Sequence, residues 1–125
     1  MRFILIILLF SINNLFAGQG KIDSLFNLLR KDIEDTSKVN HLNAVGWEFM
    51  YNNPDTSIIF GQQALLLAEK IQWKKGIANA YGILGNDYYF QAEYPKALDY
   101  YLKALSIDKE LDNELDEYLK LAMNQ

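Results

Sequence analysis

Hydrophobic residues along this chain recur at spacings of three and four between short polar breaks, the pattern of amphipathic helices. Ile22, Leu25, Phe26, Leu28, Leu29 and Ile33 share a face and predict a short helix over residues 21–33. Asp35, Thr36 and Ser37 follow as a start signal, with Asp35 or Thr36 as the cap. Leu42, Val45, Gly46 and Phe49 mark a helix over residues 39–51, ended by the turn chemistry of Asn52, Asn53, Pro54 and Asp55. The next helix is predicted over residues 56–71, with Ser57, Gly61 and Ala64 on one face. Between residues 78 and 104 the pattern sharpens. Tyr81, Leu84, Gly85 and Tyr88 line one helix, and Ala97, Tyr101 and Ala104 line the following one. Residues 91–94 connect the two, and Pro95 sits where a first helical turn tolerates proline. Residues 108–117 (DKELDNELDE) read as a solvated helix end or linker, and Leu115, Tyr118, Leu119, Ala122 and Met123 predict a last helix.

The pattern also repeats. Gly46 and Gly85 lie 39 residues apart, and Ala64 and Ala104 lie 40 apart. Leu65, Leu67 and Ile71 recur as Leu105, Ile107 and Leu111. A glycine inside a helix costs roughly 1 kcal/mol relative to alanine, so Gly82 and Gly85 require a packing reason. The expected one is close approach, with Gly85 facing Ala97 and Ala104 giving the same clearance to a following helix.

An aromatic at Tyr81, the Leu84 and Gly85 pair, an aromatic at Tyr88, then Ala97, Tyr101 and Ala104, resembles the tetratricopeptide repeat. Leu42, Gly46, Phe49 and Ala64 give the same series in weaker form. The resemblance implies an all-α fold: a right-handed α-solenoid of antiparallel helix pairs, with about two full repeats and flanking half-repeats. The chain then divides into a signal peptide at 1–17, a capping helix at 18–35 and a degenerate first repeat at 36–77 with a long second helix. The better-matched second repeat follows at 78–111, and a partial third repeat or capping helix at 112–125. Both outer aromatics are tyrosine where the family prefers Trp and Phe. The closing proline is missing, with Lys109 near its place, which predicts that the helix there runs on. In the resembled family, ligand contacts come from one face of each first helix. Carried over by register, these positions are Asn40, Asn43, Trp47 and Met50 in the first repeat, and Asn79, Gly82, Asn86 and Tyr89 in the second. Asparagine pairs with peptide backbone as donor and acceptor, and Trp47 and Tyr89 suit anchoring roles. A clamp for a terminal carboxylate is not implied. Asn86 matches one of its positions, but Asn43 and Ile83 stand where its lysine and arginine would be.

Composition narrows the chemistry. The 125 residues carry 12 Lys+Arg against 16 Asp+Glu, a net charge of −4, and no cysteine. That balance argues against a nucleic-acid partner, which wants a basic face. Lack of cysteine excludes disulfides, thiol catalysis and thiolate metal sites. The single histidine, His41, has no ligand set at helical spacing; pairs such as Glu110 and Glu114 fit a solvated face; and no glycine-rich phosphate loop is present. No enzyme, metal or cofactor is expected. Residues 1–17 (MRFILIILLFSINNLFA) have the layout of a secretory signal peptide cleaved after Ala17. The alternative is an uncleaved tether, although the apolar run is shorter than the about 20 residues a spanning helix needs. With the DTSK, NPDTS and KKGIANA segments, this start resembles the exported sensory part of certain bacterial membrane histidine kinases and regulators. The expectation is a non-enzymatic, exported module binding a protein or peptide in its concave groove. The alternative is a truncated sensory ectodomain of a signal-transduction protein, lacking its output domain, that needs missing repeats or self-association through the terminal helix.

Overall fold

The computed structural model describes residues 18–124, and the expected signal peptide lies outside the described residues. The described chain is all-α. Helix α1 covers residues 18–31, followed by α2 (Thr36–Phe49), α3 (Pro54–Lys70), α4 (Lys74–Phe90) and α5 (Tyr94–Met123). Local chemistry sets the starts. Asp35 caps α2 by accepting from the Lys38 amide at 3.2 Å, and Asn53 caps α3 by accepting from the Thr56 amide at 3.2 Å. Pro54 and Pro95 occupy first turns, where a missing N–H costs nothing.

The turns after α3 and α4 are built alike. The Trp73 amide donates to Ala68 and the Gln72 amide to Glu69, at 2.9 and 3.1 Å. Glu93 donates to Tyr88 and Ala92 to Tyr89, at 2.9 and 3.0 Å. This is the Schellman closure, which puts one residue in the left-handed region. Here those residues are Gln72 at φ 56° and Ala92 at φ 60°, not glycine.

Each of α2 to α5 packs on the next in sequence, and α2 also touches α4. Val39, Leu42, Ala64, Leu67, Ala68 and Ala80 form the core where α2, α3 and α4 meet. Phe26 of α1 meets Phe60 of α3 edge-on at 5.7 Å, closing one side of that core. Small residues carry the closest approaches. A Cβ at Gly46 would lie 3.1 Å from Ile83, and one at Gly61 would lie 3.1 Å from Leu84. The Ser57 hydroxyl donates to the Gly46 carbonyl at 2.7 Å, tying α3 to α2.

Several expectations change. The second helix of the first repeat is not long: α3 stops at Lys70 and α4 begins at Lys74, so the two helices have 17 residues each. The nearest neighbour of Gly85 is Tyr101: a Cβ there would lie 2.7 Å from its ring, so the clearance serves an aromatic. Gly82 has nothing within 4 Å of its would-be Cβ and no packing reason at all. The acidic stretch is solvated but is not a linker, since α5 runs through it unbroken for 30 residues and shows no turn near residue 111. After Pro95 it contains no Gly or Pro, and its Glu, Leu, Lys and Ala content favours helix. At 1.5 Å per residue α5 spans about 45 Å and the 17-residue α4 about 25 Å. Starting from a shared turn, α5 outruns α4 by about 20 Å. Lys74 reaches Glu114 at 2.5 Å and Glu110 at 3.6 Å, and marks the level where α4 ends and the overhang begins. Among the described residues no helix is long and apolar enough to cross a membrane.

Candidate functional site

Because Gly46 brings α2 close to α4 at Ile83, the side chains flanking that contact open onto one surface. There they form a groove of about 480 Å³ that joins Asn43 and Trp47 of α2 to Asn79, Gly82 and Asn86 of α4. Helix α5 supplies the remaining wall with Ala104 and Asp108. Five of the eight groove positions expected from the sequence are therefore brought together.

Their environments differ. Trp47 is half exposed, its indole open at the rim. Asn43 is 8% exposed, and neither its amide nitrogen nor its amide oxygen has a partner. A buried polar group left unpaired costs about 1–3 kcal/mol, so this floor residue is a stored demand for hydrogen bonds. Asn86 accepts a 2.6 Å hydrogen bond from the Tyr101 hydroxyl, which leaves its N–H donors to offer. The same Tyr101 ring lies over Gly85, so one residue of α5 sets both the helix spacing and the Asn86 amide. The open space at Gly82 widens the groove where a side chain would narrow it.

Three expected positions fall elsewhere. Met50 is 1% exposed and packs in the interior, one turn beyond the point where α2 leaves the groove. Asn40 is exposed but outside the groove. Tyr89 joins an exposed aromatic cluster at the turns, 5.7 Å from Phe90 and 5.5 Å from Tyr94, and Phe90 in turn meets Tyr51 at 4.7 Å. The repeat-signature tyrosines lie on another face: Tyr88 stacks on Tyr100 at 5.5 Å and Tyr81 lies 5.9 Å from it, with Lys96 4.7 Å over the Tyr88 ring. Leu84, Ala64 and Ala97 are enclosed as packing residues.

Sequence reasoning missed Asp108. Its signal was available, because Ala68 is its counterpart 40 residues earlier, and a buried alanine replaced by a carboxylate marks a changed environment. It also missed Asp87, which nothing local distinguishes. Asp87 is 0% exposed, and both carboxyl oxygens lack partners. The nearby Ser57 spends its one proton on Gly46. Burial pushes the Asp87 carboxyl up to about 6. Asp87 faces the interior and does not line the groove.

His41 Nδ1 lies 2.6 Å from Asp32 Oδ2, a tie between the end of α1 and α2. Among the described residues, no cluster of three or more His, Cys, Asp or Glu could hold a metal. A second hollow of about 270 Å³ between α2 and α3 is spanned by the Lys70–Glu34 ion pair, which draws the Glu34 carboxyl below its usual range. Comparison with known protein families, curated proteins and solved structures gave no match.

Proposed function

We propose that this chain is a non-enzymatic binding module of tetratricopeptide type, a short solenoid that takes a protein or peptide segment in the groove between α2, α4 and α5. The observation that carries this reading is the groove that brings the half-exposed Trp47 of α2 together with Asn79 and Asn86 of α4, above the enclosed Asn43. Amides presented as donor and acceptor match peptide backbone, and a half-exposed indole gains most from being covered. The alike turns, the stacking of each helix on the next and the two-pair register support the solenoid assignment. An exported location rests on the pattern of residues 1–17.

Peptides selected on the purified protein from a random library test the proposal. Trp47→Ala should weaken the selected peptides at least about tenfold, while Tyr118→Ala on the overhang of α5 should leave them unchanged. Selected peptides indifferent to Trp47→Ala and Asn79→Ala would overturn it. A second reading, the self-associating sensory fragment, is favoured by the uncovered face of α5, where Leu98, Leu102 and Leu105 are each about half exposed. Light-scattering mass distinguishes the two, because a stable dimer lost on Leu102→Glu supports self-association.

A further inference from the structure

Resting on the groove reading above, we infer that the groove selects an extended segment presenting a cationic side chain to Asp108 and an apolar one, about four residues away, to Trp47. Among the described residues lining the groove, Asp108 alone is ionisable. Its carboxylate is 47% exposed, and its one salt bridge is a long 3.4 Å contact to Lys75, itself 57% exposed. Exposed pairs of this kind are worth about 0–1 kcal/mol, so an incoming ammonium or guanidinium displaces or shares the contact at small cost. The field around it is negative. Residues 108–117 hold six carboxylates and one lysine, and the lysines facing them from α4, Lys74 and Lys75, offset two of the charges. A cationic segment is drawn to that end and an anionic one repelled.

The opposite end is neutral and aromatic. The two anchors stand on opposite walls, Asp108 on α5 and Trp47 on α2. Tyr101 lies over Gly85, so Asp108, seven residues further along the antiparallel α5, lies opposite Ala78, while Trp47 follows Gly46 at the level of Ile83. Those levels are five residues apart on α4, about 8 Å at 1.5 Å per residue, and the width of the helix between the walls adds about 10 Å across it. An extended chain covers the combined separation of about 13 Å in about four residues at 3.3 Å each. Between the two anchors lie Asn79 and the open position of Gly82, where backbone can approach.

The test uses the full chain and three fluorescently labelled, end-capped peptides. The first carries Lys and Phe separated by three Ser/Gly residues, the second has Glu for Lys, and the third has Lys and Phe adjacent. The first peptide is expected to bind about five- to tenfold tighter than either other by anisotropy, with the advantage shrinking as salt rises. Asp108→Asn should bring the Lys-to-Glu ratio near one, whereas Lys75→Ala should raise affinity for the first peptide. That second effect is one a folding defect would not produce. Trp47→Ala should weaken the Lys and Glu peptides alike. Equal binding of the Lys and Glu peptides that still depends on Trp47 overturns the cation preference and leaves the groove reading standing. A ratio unchanged by Asp108→Asn likewise overturns it. Binding of none of the three at millimolar concentration overturns both.

Discussion

Replacing Asp87 with asparagine removes a buried ionisable group while keeping its shape. Its carboxyl titrates at about 6 in the fold, against 3.8 for an ordinary aspartate, because it is enclosed with no donor for either oxygen. The folded state therefore holds its proton more tightly than the unfolded chain does. As pH rises from about 4 to about 6, the unfolded chain releases that proton first, so stability falls through this window and levels off above it. At about 1.4 kcal/mol per unit, a gap of about two units amounts to about 3 kcal/mol, an upper figure because the fold relaxes around a charge. Asp87→Asn should match the parent near pH 4, exceed it by about 1–3 kcal/mol at pH 7, and show a flatter profile between. Urea melts followed by circular dichroism at pH 4, 5, 6 and 7 measure this, with the difference between the two proteins cancelling the other carboxylates. Exposed groups such as Glu34, whose carboxyl is lowered, act with the opposite sign but equally in both. If the variant proves less stable at every pH, with no convergence at the acid end, the carboxylate is held by a donor. The argument from burial then fails.

The two glycines of α4 should behave oppositely. Gly82→Ala, with open space around the new methyl, should stabilise by about 1 kcal/mol, and Gly85→Ala, forced into the Tyr101 ring, should cost about 1–3 kcal/mol; thermal melts separate them. Gln72→Gly and Ala92→Gly each relieve a left-handed side-chain residue and should add about 1 kcal/mol in denaturant titrations, whereas Gly at exposed Gln62, inside α3, should cost a similar amount.

The helices themselves were legible in the sequence because their determinants are local. Asp35 caps, Pro95 opens a first turn, the turn at residues 52–55 separates α2 from α3, and apolar residues at three- and four-residue spacing set the buried faces. The missing proline near Lys109 likewise foretold a helix that runs on, although the acidic composition of residues 108–117 hid how far. Register also placed Asn43, Trp47, Asn79, Gly82 and Asn86 on comparable faces of α2 and α4. What local pattern could not carry is the rotation and level of one helix against another. That rotation is set by where Gly46 lets Ile83 approach and where Gly85 lets Tyr101 lie flat. A shift of one residue turns a side chain by about 100° around a helix of 3.6 residues per turn. Met50 is therefore enclosed, Tyr89 joins the turn aromatics, Asp87 is sealed inside, and Asp108 swings from a core position of the repeat into the wall of the groove.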